Sequence, residues 1–171
     1  DGDGITNETI GYAKLTKTFS AAMNTYTDLT KTISADGETW SKGTIKVGYN
    51  KDYSYKLRAR VGVDNTANNL KIFDSIEDVS TGWKGTLTGF NTSWAESKGY
   101  DVKIYYATTD FSTTEKYTTD LTNSFWSEYI EGTTDLSTIK HVAFVFYNSD
   151  GTIAQFEAGD AAYVQINMRS P

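Results

Sequence analysis

The chain has 171 residues, 16 basic and 22 acidic side chains for a formal net charge of −6, and no cysteine. The missing thiols exclude disulfides, thiolate metal sites, cysteine nucleophiles and internal thioesters, and the acidic balance without a Lys/Arg cluster argues against nucleic-acid binding. At this length a single domain buries about 70% of its unfolded surface and needs no covalent staple, while no apolar run reaches the length of a membrane span and no signal segment is present.

Residues 1–9 (DGDGITNET) are polar and glycine-rich and are expected to form a linker or frayed terminus. The DGDG run lacks the spaced acidic ligands and closing glutamate of a calcium loop. Residues 10–171 are expected to form one domain. Its first strand is predicted at residues 12–20, where Ala13, Leu15, Lys17 and Phe19 share one face and Lys14, Thr16 and Thr18 the other. Lys17 therefore points with the apolar residues. Residues 21–43, threonine-rich with a turn signal at Asp36 and Gly37, predict a hairpin or loop elaboration.

Strands are predicted at residues 44–49 and 53–63. In the second, Tyr53, Tyr55, Leu57, Ala59 and Val61 alternate with Ser54, Lys56, Arg58 and Arg60, the pattern of a half-buried strand. Residues 70–77 form the next strand, with Leu70, Ile72, Asp74 and Ile76 on one face. A carboxylate thus stands in an aliphatic stripe, where an isolated charge is expensive, so Asp74 must be paired, protonated or near water at a strand end. Residues 82–90 carry Trp83 as an expected core plug, and residues 91–99 predict one short helix, capped by Thr92 or Ser93 and ended by Gly99. Further strands are expected at 101–107, 141–147, 152–156 and 161–169. The strand at 141–147 is apolar on both faces and so central, and Asp150–Gly151 marks a tight hairpin. Short strands between turns predict an all-β fold, an antiparallel β-sandwich of the Ig-like or adhesin-stalk type with at most one short helix.

His141 is the sole histidine, and no serine stands in a nucleophile elbow, so neither a triad nor a histidine metal site is predicted. No catalytic residue, metal or cofactor is expected. Four tryptophans and twelve tyrosines can fill a core or build a saccharide platform. Trp83 and Trp126 read as core, whereas Trp40 and Trp94 lie in loops or elaborations and are the candidates for an exposed platform.

Taken together, YSYKLRARV, NNLKIFDSIE, WKGTLTGF, VKIYYATT, IKHVAFVFYNSDGT and FEAGDAAYVQINMRSP, in this order over about residues 44–171, resemble a repeat domain of cell-wall-anchored surface proteins of Gram-positive (Firmicute) bacteria. The resemblance implies an extracellular stalk spacer or adhesin module with neighbouring repeat domains, and a host protein or glycan, as partners. Such modules can carry an intramolecular isopeptide bond in which a lysine on the first strand attacks an asparagine on the last, aided by a carboxyl group. Carried onto this chain, that implies Lys17, Asp74 and Asn167. The bond needs an apolar pocket that keeps the amine neutral and the carboxyl protonated. Asn167, however, shares its parity with Tyr163 and Gln165, opposite Val164, Ile166 and Met168, so only a β-bulge turns it inward. Asn148 is the fallback partner, and a buried Lys17–Asp74 ion pair is the alternative to any bond. The sequence thus supports two functions: a non-catalytic surface spacer or adhesin domain, and a carbohydrate- or host-glycan-binding sandwich.

Overall fold

A computed structural model describes residues 27–76, 84–109 and 120–171. The strands are β1 (Thr27–Ser34), β2 (Asp52–Val61), β3 (Ala67–Asn68), β4 (Lys71–Ser75), β5 (Thr86–Asn91), β6 (Tyr100–Ala107), β7 (Ser127–Glu128), β8 (His141–Asn148), β9 (Gln155–Phe156) and β10 (Ala161–Arg169). The one α-helix among the described residues is α1 (Ser93–Ser97), and a 3-10 turn spans Leu136–Thr138. One sheet has the order β1-β2-β10-β5, a second β4-β8-β6-β7, and β3 pairs with β9 at one end. Every pairing is antiparallel. The chain is an all-β antiparallel sandwich, as its alternation predicts.

Period-two patterning decides which face of the first sheet is buried. Tyr53, Tyr55, Leu57, Ala59 and Val61 of β2 and Ala162, Val164, Ile166 and Met168 of β10 are buried, while the residues between them face outward. They meet Ile72 of β4, Ile104 of β6 and Val142, Phe144 and Phe146 of β8 across the sandwich. β8 is buried on both faces: behind it, Ala143 joins Phe73, Ala107 and Trp126 in a second cluster. Trp126 is a core residue, its ring 5.7 Å from that of Phe73.

Two expected elements are corrected. Residues 44–48 form no strand, because both edges of β2 are already taken by β1 and β10. The hairpin or loop expected at residues 21–43 does turn at Asp36 and Gly37, with Ile33 bridged antiparallel to Ser41, but it is no mere elaboration: Thr27–Ser34 is a full member of the first sheet, paired along its length with β2. The predicted first strand at residues 12–20, and Trp83, lie outside the described residues.

Short-range chemistry sets the remaining turns. Gly151, at φ 81°, donates its N–H to the carbonyl of Asn148 at 2.9 Å and closes the hairpin after β8 in a conformation that disfavours side chains. Helix α1 ends at Gly99, as expected, but its N-cap residue Thr92 makes no capping bond through its side chain. The Thr92 hydroxyl donates to Glu96 instead, and Asn91 Oδ1 receives the Ser93 N–H at 2.9 Å. At the far end Ser170 is buried, and its hydroxyl accepts from the Lys51 N–H at 2.9 Å, fastening the close of β10 to the start of β2.

Phe144 is fully buried at the centre of β8. Phe144→Ala should cost about 3–5 kcal/mol, the usual range for emptying an aromatic site in a packed core. Urea denaturation of the pure protein measures it.

Candidate functional site

Among the described residues two places concentrate polar chemistry. The first lies between the sheets. Leu29, Lys31 and Ile33 of β1 share the parity that faces the core, with Lys31 opposite Leu57 of β2. From the other sheet Asp74 points inward beside Val142. Lys31 Nζ and Asp74 Oδ2 meet at 2.7 Å, with side chains 8% and 1% exposed. The ammonium also lies 4.3 Å from the centroid of the Tyr55 ring, a second source of attraction for a desolvated cation. The charge in the aliphatic stripe is therefore paired across the sandwich.

The lysine that meets Asp74 among the described residues is Lys31; Lys17 lies outside them. The asparagines named from the sequence do not come to this pair. Asn167 stays on the outer face of β10, where its Oδ1 accepts from the Ser54 hydroxyl at 2.9 Å. A bulge does occur beside it, but the extra residue is Thr88 of β5, since Asn167 faces Gly89 and Met168 faces Leu87. The bulge therefore leaves β10 unrotated. Asn148 is six residues along β8 from Val142, the partner of Asp74, or roughly 20 Å at strand spacing. Its amide donates to the Thr152 hydroxyl within the hairpin.

The second place is the outer face of the β1-β2-β10-β5 sheet. Lys56 of β2, Gln165 of β10 and Asn91 of β5 lie side by side in register. With Trp94, Tyr163 and Val164 they line a groove of about 350 Å³. Trp94 reaches the groove from α1, its ring meeting that of Tyr163 edge-on at 5.0 Å between centroids. On the other side the ammonium of Lys56 sits 3.7 Å from the centroid of the Trp40 ring. Burial pushes the Lys56 ammonium below its ordinary value. Both tryptophans singled out in the sequence are half-buried and flank the same lysine from opposite sides. The sequence does not single out Lys56, Tyr163 and Gln165 as site residues although their outward parity is visible, because it does not show that β2, β10 and β5 are neighbours; Asn91 reads as the start of the helix rather than the end of a strand.

Trp40 is positioned by the turn after β1. Asp36 Oδ1 accepts from the N–H groups of Thr39 at 2.7 Å and Glu38 at 2.9 Å and from the Ser34 hydroxyl at 2.8 Å. These bonds, with that from Thr39 the largest cause, hold the Asp36 carboxyl well below the usual carboxylate range. At the strand ends His141 Nδ1 lies 2.9 Å from the Ser75 hydroxyl. No group of three or more His, Asp or Glu residues among those described could hold a metal ion.

Removing one member of the buried pair strands the other. Asp74→Asn or Lys31→Met should therefore lose about 3–5 kcal/mol, and Lys31→Met combined with Asp74→Leu should recover most of it. Asp52→Asn, at an exposed pair with Arg169, should leave the urea midpoint nearly unchanged. Because the folded pKa of Asp36 is below its unfolded value, the turn keeps its full contribution above the ordinary value of 3.8 and loses it as pH falls through the depressed folded value. The amide resonances of Glu38 and Thr39 should hold their positions down to that ordinary value and move only on further acidification. In Asp36→Asn this acid-induced step should vanish.

No family model matches the chain, and no curated protein and no solved structure matches it either.

Proposed function

We propose that this chain is a non-catalytic module of a bacterial cell-surface protein that works as a load-bearing spacer between neighbouring modules. The observation that carries this reading is the direction of the outer strands. β1 and β10 both pair antiparallel with β2, one on each side, so they run the same way. Thr27 lies opposite Val61 at one end of the sheet, and Arg169 lies opposite Asp52 at the other. The two points are therefore separated by about the length of β2, ten residues, or roughly 30 Å.

Tension between those points runs along the strands. Antiparallel ladder bonds lie perpendicular to the strands, so such a pull strains the rungs of β1·β2 and β2·β10 together rather than one at a time. The Lys31–Asp74 contact adds a tie from the middle of β1 to the opposite sheet. The order of the YSYKLRARV, NNLKIFDSIE and FEAGDAAYVQINMRSP runs supports placing this module in a surface protein of the Gram-positive kind.

The absence of cysteine allows clean attachment through engineered thiols. Forced unfolding depends on the unfolding barrier along the pulled direction. A chain pulled between Asp28→Cys and Pro171→Cys should unfold at clearly higher force than one pulled between Asp28→Cys and Val63→Cys, which peels β1 from β2 rung by rung. Equal forces in the two geometries would remove the basis of the spacer reading.

A further inference from the structure

We infer that the groove on the outer face of the first sheet binds an acidic saccharide, with a pyranose ring resting against Trp94 and Tyr163 and its carboxylate on the Lys56 ammonium. This goes beyond the spacer reading and does not depend on it. The groove volume of about 350 Å³ lies at the small end of ligand sites. Its walls divide as a pyranose divides. Trp94 and Tyr163 offer apolar ring surface with a polar edge, suited to the C–H face of a sugar, and Lys56, Gln165 and Asn91 offer polar atoms beside it.

The donor inventory selects the charge of the ligand. Lys56 supplies three N–H donors and no acceptor. The Asn91 carbonyl oxygen already accepts from the Ser93 N–H at 2.9 Å, which uses one of its two lone pairs and leaves both N–H donors of that side chain. No carboxylate lines the groove. The site is therefore rich in donors and suits a ligand rich in acceptors.

The charge balance points the same way. The whole chain carries −6, yet β2 places Lys56, Arg58 and Arg60 in succession along this face. Asp28 stands opposite Arg60, and Asp52 is bound to Arg169, but Lys56 makes no ion pair among the described residues. It is held by the Trp40 ring, which orients an ammonium without neutralising it. Burial already works against the charged form of Lys56, and the attraction of an incoming carboxylate offsets that penalty. The groove is also prepared in advance. The Asp36 turn fixes the loop that carries Trp40, and α1 presses Trp94 onto Tyr163, so little ordering remains to be done on binding.

The test is a titration of the full 171-residue chain, followed by amide and indole NMR shifts. The acidic probes are a galacturonate trisaccharide and 3′-sialyllactose; the neutral controls are galactotriose and lactose. At least one acidic probe should shift the Trp94 indole and the backbone amides of residues 91–94 and 163–165, and added salt should weaken the effect. Which probe responds distinguishes a uronate from a sialate source. Lys56→Gln should weaken binding about tenfold or more, as expected for loss of a hydrogen bond to a charged group, while a dispersed amide spectrum shows that the chain still folds. Tyr163→Ala tests the ring wall at a half-buried outer-face position, so the wall remains testable even if Trp94→Ala does not fold. The inference is overturned if both acidic probes leave the groove resonances unmoved, if neutral sugars bind as well as acidic ones, or if Lys56→Gln or Tyr163→Ala binds undiminished.

Discussion

Two opposite charges sealed between two sheets constrain everything around them. Taking Lys31 and Asp74 out of water is costly, and their 2.7 Å contact offsets that cost only while both remain in place. The consequence is register rather than raw stability. Slipping β1 by one residue against β2 would bring Thr30 or Thr32 to the core and turn Lys31 outward. Slipping β4 against β8 would replace Asp74 with Phe73 or Ser75. Either slip strands a charge, so the pair fixes β1 and β4 in one alignment. The outer face inherits that alignment. With β1 fixed, Ser34 begins the Asp36 turn, the turn delivers Trp40, and Trp40 receives Lys56.

The sheets differ in what they leave open. Behind the second sheet, Trp126 and Phe73 close over Ala107 and Ala143. Among the described residues the first sheet has no such cover over Lys56, Gln165 and Asn91, and the groove lies there. Part of the second sheet's outer face is thus closed by rings, whereas the outer face of the first carries Trp40 and Trp94, both half-buried, beside Lys56.

Much of the fold could be read from alternation alone. β2, β4 and β10 are long enough for period two to show, β8 stood out as a run apolar on both faces, and Asp74 was conspicuous because a charge interrupted an aliphatic face. The lysine partner was harder to find for a local reason. LTKTFS at residues 15–20 and LTKTIS at residues 29–34 differ at one position, so both place a lysine between two apolar neighbours on one face. Nothing in either hexapeptide tells which lysine lies opposite Asp74. Residues 44–49 looked like a strand because local pattern does not reveal that both edges of the neighbouring strand are occupied. The groove was hidden for the same kind of reason: Lys56, Gln165 and Asn91 are 35 and 74 residues apart in order along the chain (56 to 91, and 91 to 165) and meet only through strand order. Trp40 and Trp94 could be picked out as non-core rings, but their common lysine could not.

The loop after β1 also bears on how crowded copies of this chain would treat one another. An outer strand with unpaired backbone groups is a template for another chain, and natural sheets guard such strands. Here Ile33 and Ser41 exchange both backbone hydrogen bonds, each at 2.9 Å, so the chain caps the end of β1 with its own next turn. A stranger adding to that end would first have to peel away the segment bearing Trp40. The device that shapes the outer face thus doubles as a guard against sheet-to-sheet aggregation, a hazard that grows wherever many identical modules are held close together.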